Sequence, residues 1–223
     1  MERSIKIAID LMGGENAPDK NLEGVNLFLK RNINIKDCFF YFYGDKNKII
    51  EKIDKFKLLK NNYKIFDTKI IVSDDLSALS TIKKGKNSSM WNSIQSQIDS
   101  DANVTLSAGN TGVLLVMSKM ILKTMEDVDK PALAGLWPNK KNMNVVLDLG
   151  ANVECSEKNL IDFSEMGSAL FQSLYPNEKP KVALLNIGSE EIKGTELLKN
   201  TFAKLKILDS LGDFEFSGYI EGN

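Results

Sequence analysis

The sequence predicts an α/β protein, a three-layer α/β/α arrangement with a mostly parallel sheet. Three observations carry this. Runs such as "SIKIAID", "CFFYFYG" and "KVALLNIG" are apolar almost throughout, as strands covered on both faces are. Segments with helical spacing separate them, which is the pattern of a parallel sheet. Glycine, asparagine and aspartate gather where the apolar runs end.

"SIKIAID" reads as the first strand and ends in Asp10. After "LMGGENAP", Leu22, Val25, Leu27 and Leu29 predict a helix over 19–31. "CFFYFYG" is the second strand, stopped by Gly44, and "KNKIIEKIDKFKLL" is an amphipathic, lysine-rich helix. "YKIFDTKIIVSD" carries the third strand, and "SSMWNSIQSQID" opens the helix after a lysine-rich loop. The alternation continues with "NVTLSA", a helix over 111–124, "ALAGLWP", "MNVVLDLG", a helix near 157–175, "KVALLNIG" and a helix near 192–208. The strand "FEFSGYIEG" comes last. No linker interrupts the pattern, so a single domain over 1–223 is expected. A doubly wound sheet rarely stops on a bare strand, so the sequence is expected to lack a C-terminal part.

Composition narrows the function. The 29 basic and 30 acidic residues nearly cancel, which argues against a general nucleic-acid or membrane-surface binder. The absence of histidine excludes, within this chain, a Ser-His-Asp triad, a Cys-His pair and histidine-ligated zinc. Cys38 and Cys155 have neither metal-ligand spacing nor the density of a secreted scaffold, and read as buried free thiols. The longest apolar run, 113–122, is broken by Ser118 and Lys119 and is too short for a bilayer. A soluble cytoplasmic protein is expected.

Ligands of open parallel sheets bind beyond the carboxyl ends of the strands, where helix N-termini converge. Four such ends are unusual here. In "DLMGGENAP", Gly13 and Gly14 allow close backbone approach, and Asp10 can orient a neighbour or a substrate hydroxyl, although a Gly-Gly pair after a strand is more often only a turn. In "LSAGNTGVLL", Ser107, Gly109, Asn110, Thr111 and Gly112 offer amide donors at a helix start, more than capping alone needs. "LDLGANVEC" presents Asp148, Gly150 and Asn152, which a structural aspartate in a strand-to-helix connection also explains. "LLNIGSEEIKGTEL" combines Asn186, Gly188, Glu190, Glu191, Lys193 and Gly194. Lys193 is expected in the first turn of the following helix, where the dipole disfavours it, which hints at a nearby anion. In "KKGKNSSM", Lys83, Lys84 and Lys86 beside Ser88 and Ser89 form either a phosphate grip or a solvated charge run. G-x-G-x-x-G after the first strand and G-x-x-x-x-G-K-[ST] are both missing, so a nicotinamide Rossmann site and a P-loop are not supported.

Taken together, "IAIDLMGGENAP", "KNSSM", "LSAGNTG", "DKPALAGLWP", "LDLGANVEC", "LLNIGSEEIKGTEL" and "YIEGN" resemble the phosphate acyltransferase family of bacterial phospholipid synthesis (PlsX-type). The likeness runs in order from residue 4 to the last residue. Two departures stand out: Asn87 occupies a position where the family usually has aspartate, and the family pattern continues beyond the end of this chain.

The resemblance implies a fold similar to isocitrate and isopropylmalate dehydrogenases and to phosphotransacetylases. It implies transfer of a fatty acyl group from acyl-acyl carrier protein to inorganic phosphate, the acyl phosphate then serving a membrane glycerol-3-phosphate acyltransferase. A homodimer without metal or organic cofactor is implied, cytoplasmic or peripheral at the inner face of the membrane. Phosphate is already ionised at neutral pH, so positioning and oxyanion stabilisation are the main tasks, and one well-placed donor is worth about 3 kcal/mol. Lys193 and Asn110 are expected in catalysis, helped by amides of 107–112 and 186–188. Asp10, Gly13, Gly14, Asn16, Ser88, Ser89, Ser107, Gly109, Thr111, Gly112, Asp148, Asn152, Asn186, Gly188, Glu191 and Gly194 are expected to bind substrate, and the strand-end loops are expected to form one donor-lined pocket. Lys83, Lys84 and Lys86, with Lys140 and Lys141, are expected to dock the acidic carrier protein. A phosphotransacetylase-like enzyme acting on acetyl-coenzyme A and a truncated homologue that only binds are the alternatives.

Overall fold

The computed structural model describes residues 4–32, 37–59, 62–72, 84–99, 101–140 and 142–222. The chain divides into two compact units, 1–123 and 124–223. Each is α/β.

In the first unit, β1 (Ile5–Asp10), β2 (Cys38–Gly44), β3 (Tyr63–Asp67) and β4 (Val104–Ser107) form a parallel sheet in the order β3-β2-β1-β4. Alternate side chains of each strand face opposite sides. One face sends Ile9, Phe40 and Phe42 against Leu22 and Val25 of α1 (Asp19–Arg31) and Ile49 and Ile53 of α2 (Lys46–Ile53). The other sends Ala8 and Tyr43 towards Ala102, with Tyr41 and Phe66 beside them, and α3 (Ser89–Ile98) packs on the same two central strands. Met90 and Ile94 of α3 meet Val113 and Met117 of α4 (Thr111–Leu122). This unit therefore has the expected helix–sheet–helix layering.

Two elements are shorter than their sequence patterns. The helical spacing of "KNKIIEKIDKFKLL" runs to Leu59, but α2 stops at Ile53. Turn bonds from Phe56 N to Ile53 O (2.9 Å) and from Leu59 N to Phe56 O (3.0 Å) take over, and still deliver Leu59 to the core. The pattern fails to distinguish a helix from consecutive turns because both bury the same stripe. The strand in "YKIFDTKIIVSD" ends at Asp67, and beyond it Ile70 makes one isolated parallel bridge with Ser88.

The second unit holds β5 (Gly135–Pro138) and β6 (Met143–Val146), α5 (Glu157–Leu174), β7 (Lys181–Leu185), α6 (Glu196–Asp209) and β8 (Glu215–Ile220). β7 and β8 are parallel, with α6 as their crossover. Leu184, Leu205, Phe214 and Tyr219 form their core. α5 starts with a capping box in which Ser156 and Asn159 satisfy each other's backbone amides.

β5 and β6 depart from the expected parallel alternation: they pair antiparallel. Only four residues join them, and Asn139 closes that turn through its amide to Asn142 O (2.8 Å) and its side chain from Asn142 N (2.7 Å). A connection this short can join only antiparallel neighbours. Among the described residues, no helix is long and apolar enough to cross a membrane.

Phe42 is fully buried and stacks on Tyr63 at 5.6 Å between centroids. Phe42→Ala is expected to cost about 3–5 kcal/mol, read as a lower urea midpoint. A midpoint equal to wild type would contradict this core assignment.

Candidate functional site

In the first unit, parallel pairing places Asp10 and Ser107 side by side at the carboxyl ends of β1 and β4. Asp10 is only 1% exposed. It accepts the Ser107 hydroxyl at 2.7 Å and the Met12 amide at 3.2 Å, and the Ser89 hydroxyl also binds it. Burial pushes the Asp10 carboxyl above the usual carboxylate range, although the Ser89, Ser107, Met12 and Gly13 hydrogen bonds oppose the shift.

The two strand-end loops touch. Ser107 Oγ also accepts the Gly109 amide at 3.1 Å. A Cβ on Gly13 would lie 2.5 Å from Asp10 Oδ2 and 2.9 Å from Gly109 N, so a side chain cannot enter there. Gly14 has φ +85°, and its Cβ would lie 2.6 Å from Ala108 O. The double glycine thus lets one loop approach the other. Asn21 of α1 braces the same turn by donating to Leu11 O (3.0 Å) and Gly13 O (2.9 Å). Nothing in the sequence pattern of α1 marks Asn21 for this task. Asn16 is exposed at φ 58°, and its carbonyl accepts the Lys20 amide at 3.2 Å.

Ser88 and Ser89 are buried. Ser88 caps α3 by accepting the Trp91 amide at 3.1 Å, and Ser89 is spent on Asp10. Lys84 and Lys86 are exposed. The expected grip of lysines and serines is therefore split between surface and interior, and Lys83 lies outside the described residues. Asn110 caps α4 by accepting the Val113 amide at 3.0 Å, and Thr111 and Gly112 are exposed at the helix start.

In the second unit, Asp148 ties its loop together. It accepts the amides of Leu133 (2.9 Å), Ala151 (3.3 Å) and Asn152 (2.7 Å), and the Asn152 side chain at 3.0 Å. Burial pushes its carboxyl up, but these donors outweigh burial and leave it below the usual range. The Asn152 side chain also donates to Pro131 O at 2.9 Å, and Gly150 turns the chain at φ 77°. Burial, then the Asp148 charge, push the nearby Cys155 thiol up, which makes it a poor nucleophile.

The loop after β7 is built around Asn186 and Gly188. Asn186 donates to Lys193 O at 3.1 Å and accepts the Ile187 amide at 2.9 Å, and its own amide reaches Ile220 O at 2.9 Å. Two amides expected as oxyanion donors, those of Asn186 and Ile187, are thus used within the fold. Gly194 has φ +96°, and its Cβ would lie 2.8 Å from Asn186 Oδ1. Lys193 Nζ pairs with Glu190 Oε2 at 2.9 Å. Glu190 raises Lys193 above the usual lysine value, and Lys193 lowers Glu190.

Lys193 does not lie in the first turn of a helix. α6 begins at Glu196 with Thr195 as its cap, because the turn from Glu190 O to Lys193 N (3.0 Å) and the positive φ at Gly194 interrupt the helical spacing. No helix dipole therefore opposes the Lys193 charge, and Glu190 balances it. Glu191 reaches Lys206 at 3.7 Å. Lys140 is exposed and Lys141 lies outside the described residues. Among the described residues, no group of three or more histidine, cysteine, aspartate or glutamate side chains is placed to hold a metal.

Because the folded protein binds the Asp10 proton more tightly than the unfolded chain, this contribution to stability is complete at low pH. It is lost as pH rises through the raised Asp10 value. Asp10→Asn removes the titration, so its urea midpoint should gain on wild type as pH rises from 4 to 8. A flat or shrinking difference would contradict the burial of this carboxyl.

The family model described as fatty acid synthesis protein matches residues 5–223. The phosphate acyltransferase of Pelagibacter ubique (strain HTCC1062) is 55% identical over 223 residues, covering 100% of this chain and 65% of that protein. The phosphate acyltransferase of Agrobacterium fabrum (strain C58) is 37% identical over 220 residues, covering 98% of this chain and 61% of that protein. The chain thus spans less than two thirds of the length of these relatives. The fold is similar to the EutD phosphotransacetylase from Staphylococcus aureus, with a TM-score of 0.65 at 15% identity over 98% of this chain and 69% of that one. It is also similar to a branched-chain phosphotransacylase from Enterococcus faecalis V583, with a TM-score of 0.51 at 18% identity over 98% of this chain and 68% of that one. With its model matched over nearly every residue, this chain belongs to the fatty acid synthesis protein family, in which the relatives compared are phosphate acyltransferases.

Proposed function

We propose that this chain carries the larger part of an enzyme that transfers a fatty acyl group from acyl-acyl carrier protein to inorganic phosphate. The observation that carries the reading is 55% identity, across all 223 residues, to a protein named phosphate acyltransferase. In the reaction a phosphate oxygen attacks the thioester carbonyl, and a tetrahedral oxyanion forms. The carbon–sulfur bond then breaks, leaving acyl phosphate, and the proton of the hydrogen phosphate passes to the departing carrier-protein thiolate. Phosphate arrives ionised, so no histidine is needed as a base.

Lys193 holds phosphate or the developing oxyanion. Its main chain is fixed by Asn186, and its ammonium sits on an exposed loop where an anion can reach it. Asn110 fixes the start of α4, where the exposed residues Thr111 and Gly112 carry amides left without helical partners by their position. Asp10, Ser89 and Ser107 act from inside, by holding the loops that carry these donors. Asp148 and Asn152 do the same for 131–133 and 148–152. The chemistry requires neither a metal nor an organic cofactor.

The carrier protein is acidic, and Lys84, Lys86 and Lys140 are exposed to receive it. The active form is a homodimer in the cytoplasm or at the inner face of the membrane, and its acyl phosphate is consumed by a membrane glycerol-3-phosphate acyltransferase.

In a form of the protein with the full length of its relatives, Lys193→Ala should abolish acyl-phosphate formation with an unchanged circular dichroism spectrum. Turnover near the wild-type rate would remove Lys193 from the chemistry. Replacing Lys84 and Lys86 by alanine should weaken carrier-protein binding and flatten its salt dependence. Unaltered affinity and an unaltered salt slope would exclude these lysines from the docking face.

A further inference from the structure

Gly188 is buried, although it lies on an exposed loop. What covers it is the Lys193 side chain. A Cβ at position 188 would lie 2.4 Å from Lys193 Cδ, 2.9 Å from Lys193 Nζ and 2.8 Å from Glu190 Oε2. Gly188 is not among the glycines at positive φ, which are Gly14, Gly150, Gly194, Gly212 and Gly218. Its backbone therefore does not demand glycine; the Lys193–Glu190 pair occupies the space that a Cβ would take.

The two ends of Lys193 are held differently. Its carbonyl is gripped by the Asn186 side chain at 3.1 Å, and Gly194 closes tightly against the same asparagine. Its ammonium is held by one carboxylate, Glu190, at 2.9 Å. Both side chains are about half exposed, Lys193 at 46% and Glu190 at 56%. An ion pair this open is screened by solvent and easily exchanged. The stem of the lysine is thus pre-positioned, while the partner of its charged tip is replaceable.

We infer that Glu190 is a positioning residue that keeps the Lys193 ammonium over Gly188 as an internal counter-anion, whose place an entering phosphate takes. This rests on the reading of Lys193 as the phosphate-holding group. A carboxylate oxygen and a phosphate oxygen make the same charge-assisted hydrogen bond to an ammonium. Displacing Glu190 releases an exposed carboxylate into water, at little desolvation cost.

The test is calorimetric titration of inorganic phosphate, at low ionic strength and neutral pH, into the 223-residue chain and four variants. Glu190→Gln keeps the size of the side chain and removes the competing charge, and should lower the phosphate Kd roughly two- to five-fold, the range that an exposed ion pair carries. Lys193→Ala should raise the Kd, and adding Glu190→Gln to Lys193→Ala should change nothing further. Gly188→Ala, whose methyl would press on the flexible end of the lysine, should raise the Kd by less than Lys193→Ala does.

Weaker or unchanged binding by Glu190→Gln, with Lys193→Ala still impaired, would overturn the counter-anion role and leave Lys193 as the phosphate group. Equal tightening by Glu190→Gln in both backgrounds would overturn it too, by revealing a general charge effect. Wild-type affinity in Lys193→Ala, or no phosphate binding by the wild-type chain, would instead overturn the underlying reading of Lys193.

Discussion

A carboxylate buried at a strand tip is the constraint on which the first unit depends. Asp10 sits at the end of β1, one of the two central strands, with 1% of its surface exposed. Such a group is tolerated only if donors surround it. The donors come from three separate places: Ser107 on the neighbouring strand, Ser89 at the start of α3, and the Met12 amide of its own loop. Meeting the need of one carboxyl thus draws three segments together. The glycines at 13 and 14 follow from that, because the loops meet backbone to backbone with no room for a Cβ at position 13.

Asp148 answers the same need with the opposite electrostatic result. Three amides and one side-chain amide surround it, and it stays below the usual carboxylate range in spite of partial burial. Asp10 has lost so much solvent that its donors only reduce the shift. The number of donors relative to the water removed decides the sign. Both aspartates organise loops through the donors gathered around them. The exposed loop 186–194 is different, since its charges are paired in a geometry that solvent can open.

Much of this was legible in the sequence. Continuous apolar runs identified the buried strands, and α1 and α5 lie where helical spacing put them, to within a residue. Asp10, Ser107, Asp148 and Asn186 stand out because polar residues at the ends of apolar strands have few other reasons to be there. Illegible were the features that depend on contacts far apart in sequence. Asn21 bracing the Gly13 turn and Ser89 turning inward to Asp10 are set by packing, which residue types alone do not encode. The helix expected near 192–208 would put Lys193 in its first turn, yet Gly194 at positive φ and the Thr195 cap move the start to Glu196. The β5–β6 hairpin was hidden in two apolar runs that resembled every other strand, although the four residues between them already excluded a parallel connection.

Acyl transfer from a carrier-protein thioester to phosphate is the reaction proposed for this protein. The most direct measurement supplies the protein, at the full length of its relatives, with inorganic phosphate and either a long-chain acyl-acyl carrier protein or acetyl-coenzyme A. Acyl phosphate is then trapped with hydroxylamine as the hydroxamate. Long-chain hydroxamate from the carrier-protein substrate, with free carrier protein formed in equal amount, is the predicted result. Acetyl hydroxamate from acetyl-coenzyme A alone, or no product from either donor, would contradict it.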